Sequence, residues 1–166
     1  GMEAANSDAA RAKVWELVKD IRAAMLVTRD AEGHMSARPM SAVNREFTDR
    51  LWFMTSADSP KLDEIRAVPL VLVAYSEPKD QNYVSVRGTA RVVTDRDKIR
   101  ELWTEAARVW FPKGPEESEI ALIEVVVDTA EYWDAPSGAM VYAYGYAKAR
   151  LTGKPPEIGE NRKVTF

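Results

Sequence analysis

Two short stretches carry the side chains best suited to hold an anion. The first is Ser36-Ala37-Arg38-Pro39-Met40. Pro39 cannot donate a ladder hydrogen bond, so it marks a sheet edge or a bulge. An arginine beside it can offer its planar fork of donors to an anion; a plain exposed strand arginine is the competing reading. The second is Thr55-Ser56-Ala57-Asp58-Ser59-Pro60-Lys61, with Ser59 placed as a helix N-cap and Pro60 as the first helical residue. Hydroxyls and unsatisfied backbone N–H groups at a strand-to-helix junction suit a phosphate. Lys61 falls in the first helical turn, where the helix dipole favours acids. A bound anion resolves that conflict, whereas capping by itself accounts for Ser59 and Pro60.

The rest of the reactive inventory is thin. Trp52, Trp133 and the run Tyr142, Tyr144 and Tyr146 could stack on a planar ring, or could equally anchor a core or an interface. His34, the one histidine, adjoins the turn Glu32-Gly33 and reads as a solvated turn residue rather than an acid or base. Glu124, Glu131 and Asp134 show no spacing that would pair two carboxylates in one site. The absence of cysteine excludes thiol nucleophiles, disulfides and Cys-ligated zinc, and no metal site is expected. Neither a Walker loop nor a G-x-G-x-x-G fingerprint is present. Any redox chemistry would therefore reside in a cofactor.

The chain that positions these groups is one domain's worth, 166 residues, with residues 1–6 and about 153–166 expected to be extended or flexible termini. Hydrophobic residues at 46% and charged residues at 30% describe a folded chain. Its net charge of −3 gives no general attraction to nucleic acid or anionic lipid. No run approaches the roughly 18–20 apolar residues of a membrane span, and no basic-then-apolar leader opens the sequence. The expectation is a cytoplasmic protein. Gly1 before Met2 reads as a remnant of tag cleavage.

Periodicity predicts a helix from Ser7 to about Arg22, with Val14, Leu17, Val18 and Ile21 on one face. Strands follow at Met25–Thr28, His34–Ser41 and Leu51–Thr55, then a short helix from Ser59 to about Ala67. Leu70–Tyr75 reads as a buried strand, and Asn82–Thr94 as a long alternating one bent at Gly88. A second helix begins at Asp95, with Ile99, Leu102, Trp103, Ala106 and Trp110 on one face, and stops at Pro112. Ala121–Val127, Ala130–Trp133 and Val141–Ala149 are expected as further strands. Without a regular strand–helix–strand repeat, a mostly antiparallel sheet closed into a small barrel with helices packed outside fits best.

Taken in order, Ala37-Arg38-Pro39-Met40, the run Leu51 to Lys61, Tyr83-Val84-Ser85-Val86-Arg87-Gly88, Ala130 to Pro136 and Tyr144-Gly145-Tyr146-Ala147-Lys148-Ala149 resemble the FMN-binding split β-barrel family. The likeness extends to the tail Gly159 to Val164. Within the family the chain is most similar to the general stress protein branch, related to pyridoxamine 5′-phosphate oxidase. The resemblance implies a mainly β (α+β) fold, a six- to seven-stranded antiparallel split β-barrel with peripheral helices. It also implies a homodimer with one FMN in each of two interface clefts. Arg38 and Lys61 would then bind the flavin phosphate, helped by the hydroxyls of Thr55 and Ser59. The segment Arg38, Pro39, Met40, Ser41 to Val43 would run beside the isoalloxazine ring. Met54 and Ser56 lie in the same matched stretch, Trp133 matches a flavin-contacting tryptophan, and Tyr83 stands where the oxidase has a flavin-contacting glutamine.

The departures point away from vitamin salvage. Val43 replaces the lysine that would take a substrate phosphate, and no Arg-x-His pair follows Trp133. The implied activity is a flavin-dependent oxidoreductase of unidentified substrate, with NAD(P)H as a candidate reductant. The alternatives are a flavin-binding or storage protein without turnover, and a barrel of the same kind holding haem or a deazaflavin.

Overall fold

The computed structural model describes residues 7–134, 139–154 and 160–166, with backbone alone for 139–145 and 160. Alternation and helical periodicity together build a seven-stranded sheet flanked by helices. The strands are β1 (Ala24–Arg29), β2 (Met35–Met40), β3 (Arg50–Ser56), β4 (Leu70–Glu77), β5 (Asn82–Val93), β6 (Ile120–Asp134) and β7 (Glu160–Thr165). They run in the order β2-β1-β4-β5-β6-β3, with β7 also paired to β6. All the strand pairs are antiparallel. At the two ends of that order, Ala42 bridges Phe53 and the Val43 N–H donates to Trp52 O at 2.8 Å. The sheet thus curls until its edges touch at one point without closing: the split barrel that the resemblance implies, not the closed barrel that the strand pattern suggests.

Inward-facing residues of successive strands fill the curl. Leu26, Phe53, Val73, Val86, Ile123 and Tyr132 are all at most 2% exposed. Helix α1 (Asp8–Val18) covers this core with Ala10, Val14 and Val18, and the Ser7 hydroxyl caps it by accepting from the Ala10 N–H. It ends at Val18, four residues short of the sequence estimate. Helix α2 (Pro60–Ala67) buries Leu62 and Ile65 and packs against β1 and β5. A smaller cluster on the outer side of the sheet gathers Trp52, Ile99, Leu102, Ile120 and Leu122.

The bend in β5 falls where glycine marked it. Gly88 pairs with Val127 while Arg87 pairs with Thr129, so Asp128 bulges out opposite the step. A Cβ on Gly88 would stand 2.5 Å from Val125 Cγ1 and 2.7 Å from Val126 O, so only glycine lets the strands approach this closely. The bulge also joins two expected strands, 121–127 and 130–133, into the single β6.

Three expectations are corrected. The helix after Asp95 is not continuous to Pro112: α3 (Arg96–Leu102) ends as Trp103 turns extended, and a 3-10 turn spans Glu105–Val109. The break lays Trp103 against the outer cluster and leaves Trp110 79% exposed. Residues 141–149 are not a strand but part of helix α4 (Ala139–Thr152). Alternating tyrosines imitate a strand's period, while four alanines, 139, 143, 147 and 149, favour a helix. Gly153, at φ +69°, closes α4 by donating to Ala149 O at 2.9 Å. The tail is more than an extended end, since β7 is a full sheet member with Val164 buried. No described helix is long and apolar enough to cross a membrane.

Candidate functional site

Where the curled sheet stays split, α2 carries its first turn towards the end of β3. Thr55, buried on the core face of β3, and Ser59, before the first turn of α2, turn their hydroxyls to one ammonium. Lys61 Nζ donates to Thr55 Oγ1 at 2.8 Å and to Ser59 Oγ at 2.6 Å. Ser59 therefore caps α2 by position only; its side chain makes no capping bond. Among the described residues Lys61 has no carboxylate partner. Its ammonium is held below the ordinary lysine range, first by partial burial and then by the nearby charge of Arg38.

Arg38 comes from the edge strand β2 but points to the core side, because it shares the face of its partner Leu26. Its Nη1 donates to Leu26 O at 3.2 Å and to Thr28 Oγ1 at 2.6 Å, and its Nη2 meets Glu64 Oε2 at 3.3 Å. The Thr28 hydroxyl donates in turn to the same Glu64 oxygen. With 22% of its side chain exposed, Arg38 is not the solvated strand arginine that local chemistry allowed. Two semi-buried cations, two hydroxyls and a strand-to-helix junction make a donor set that fits a phosphate monoester.

The other expected residues divide. Pro39 and Ser41 are exposed beside Arg38, while Met40 packs on the main core. Val43 and Met54 pack against the outer cluster around Trp52. Ser56 turns from Lys61 and donates to Asp58 Oδ1 at 2.6 Å. Tyr83 and Trp133 are direct cross-strand partners on β5 and β6, 40% and 41% exposed. They lie on the outer face, Tyr83 three and Trp133 four strand positions from β2, so the fold of one chain does not bring them to the cationic cluster. Trp52 is a core residue at 8% exposure, with Lys98 Nζ 4.7 Å above its ring. Tyr146 is exposed on α4, and the side chains of Tyr142 and Tyr144 lie outside the described residues, as do Ala135 and Pro136.

His34 stands in solvent on the β1–β2 hairpin, 3.1 Å from Asp30 Oδ2. The three acids weighed earlier go to separate partners: Glu124 to Arg91 and Arg50, Glu131 to Asn161, and Asp134 to Lys13. Sequence reasoning missed Thr28 and Glu64. The available signal was positional, since Glu64 lies three residues beyond Lys61, on the same face of α2.

The face of the sheet opposite the core carries Met25 at 42%, Met35 at 68% and Leu70 at 65% exposure, together with Tyr83 and Trp133.

A family model described as pyridoxamine 5′-phosphate oxidase like matches residues 9–157. Protein bli-3 of Neurospora crassa is 27% identical over 151 residues, covering 85% of this chain and 72% of its own. The crystal structure of a general stress protein 26 candidate from Jannaschia sp. CCS1 superimposes with a TM-score of 0.80 at 26% identity, over 96% of this chain and all of that one. A general stress FMN/FAD binding protein from Xanthomonas citri gives a TM-score of 0.67 at 27% identity, over 80% of this chain and 93% of its own.

Proposed function

Because the chain belongs to the pyridoxamine 5′-phosphate oxidase-like family, we propose that it is a homodimeric FMN-binding protein acting as a flavin-dependent oxidoreductase. The observation that carries the flavin reading is Lys61: a half-buried ammonium held by two hydroxyls, beside a second cation and, among the described residues, without an acid of its own. That arrangement leaves positive charge unspent, and the dianionic phosphate of FMN is the matching group. The name of the Xanthomonas citri relative, an FMN/FAD binding protein at 27% identity, supports the same class of ligand.

In this reading Arg38, Lys61, Thr55 and Ser59 hold the phosphate, with the segment Pro39 to Val43 flanking the ring. The apolar outer face of the sheet supports a second copy as partner. A copy seated there covers Met25, Met35 and Leu70 and supplies the aromatic pair Tyr83 and Trp133 to a cleft that one chain leaves incomplete. Bound flavin supplies hydride and electron transfer, with NAD(P)H as the proposed reductant. The protein's own part is to bind, orient and screen the cofactor.

The test is direct. The purified protein is expected to bind FMN at micromolar concentration and to elute as a dimer in light-scattering chromatography. Absence of FMN binding sinks the reading. A second reading, a flavin carrier without turnover, is favoured by one observation: the described side chains of the cluster are cations and hydroxyls plus one engaged acid, and His34, at the solvent-exposed turn of the β1–β2 hairpin, bonds Asp30 instead. Anaerobic reduction with NAD(P)H, then reoxidation by quinone or nitro acceptors, separates the two, since a carrier's flavin does not cycle.

A further inference from the structure

Glu64 is an unexpected neighbour for an anion site. It follows Lys61 by one turn on α2, and its Oε2 takes both the Thr28 hydroxyl and Arg38 Nη2. Thr28 is 1% exposed, and the Glu64 and Arg38 side chains are 24% and 22% exposed, so the three are fixed between β1, β2 and α2 rather than loose at the surface. Both terminal nitrogens of Arg38 are already engaged, and among the described residues its Nε bonds nothing. A phosphate reaching Arg38 must therefore share the guanidinium with a carboxylate that repels it. Partial burial raises the effect of that repulsion over its value in water.

We propose that Glu64 is a specificity-determining residue of the anion site: it claims one edge of Arg38, reduces the cluster to a single net positive charge, and keeps a phosphate-bearing ligand exchangeable. Thr28 is the positioning residue that holds the carboxylate in that place. The inference rests on the phosphate reading above. It assigns Glu64 a role opposite to that of an ordinary binding residue, because removing its charge tightens the complex.

The experiment compares wild type, Glu64→Gln and Glu64→Asp. FMN and riboflavin are titrated by quenching of flavin fluorescence, and FMN release is timed by dilution into excess unlabelled competitor protein. Glu64→Gln keeps the size and the acceptor oxygen but loses the charge. It is expected to bind FMN roughly tenfold tighter or more, with release slowed to match and riboflavin affinity unchanged. Glu64→Asp keeps the charge and is expected to stay within about threefold of wild type. If Glu64→Gln binds FMN as wild type does or more weakly, or if both variants tighten alike, the assignment is overturned. Equal shifts for FMN and riboflavin mean a purely structural residue and overturn it as well. Wild type that does not prefer FMN over riboflavin overturns the phosphate reading itself, and Glu64's role with it.

Discussion

Lys61→Met separates a ligand-binding lysine from a structural one, because the two roles move different observables. Its ammonium makes two hydrogen bonds, to Thr55 Oγ1 and Ser59 Oγ, and both acceptors are hydroxyls that can rotate towards other partners. It feels the repulsion of Arg38 and the cost of partial burial. A lysine depressed in this way binds fewer protons folded than unfolded. Stability of the ligand-free protein therefore rises with pH between the depressed value and 10.5, and at neutral pH the full cost of the charge is present. Methionine keeps the stem and removes that cost, so the ligand-free variant is expected to melt at or slightly above the wild-type temperature. With FMN the sign reverses. Losing one charge-assisted contact to phosphate costs about 1.5–3 kcal/mol, or about 10- to 150-fold in affinity, while riboflavin is unaffected. Flavin titration and melting curves with and without FMN read both effects. Unchanged FMN affinity, or a ligand-free variant that melts several degrees lower, refutes the reasoning.

Three other perturbations test the fold around the site. Gly88→Ala forces a methyl against Val125 Cγ1 and the fixed Val126 O; a loss of about 2–3 kcal/mol is expected in denaturant unfolding, since backbone cannot yield as a side chain does. Met35→Glu combined with Leu70→Glu places charges on the exposed sheet face and is expected to give a monomer by light scattering that has also lost FMN; a dimer that keeps FMN rules that face out as the interface. Glu105 is held down to about 2, first by the hydrogen bond from Arg108 and then by that from Trp103. Its contribution, present above the unfolded value of 4.5, is lost as pH falls through about 2. Tryptophan fluorescence of wild type is therefore expected to shift between those limits, and Glu105→Gln to abolish the shift.

Much of the framework was legible in local pattern. Alternation from Asn82 with a glycine at 88 described both β5 and its bulge, because a half-buried strand imposes period two and a close approach demands glycine. Arg38 and Lys61 were legible as misplaced charges, one beside an edge proline and one in a first helical turn. What failed was governed by distant packing. Trp103 and Trp110 share a helical face on paper, yet the chain turns at Trp103 to seat that ring on the outer cluster. Residues 141–149 alternate like a strand, and alanine content decides for α4. Glu64 resembled any solvated helix acid, and Thr28 any strand threonine; only the antiparallel register that sets Arg38 beside Leu26 and Thr28, with α2 laid across them, joins the three.

The long strand β6 also governs the order in which a chain emerging from the ribosome can assemble. Strands β2, β1, β4 and β5 are neighbours in space and close in sequence, so they can pair as soon as residue 93 is made. Strand β3 cannot, because among the described residues, apart from the single Ala42–Phe53 bridge, it pairs with β6, which begins at residue 120. Thr55 is therefore left without its sheet, and the Lys61 cluster without one wall, until the last third of the chain has been synthesised. Strand β7 comes later still, paired to β6. Under the proposed reading, a flavin phosphate would therefore find its complete site only in a nearly finished sheet.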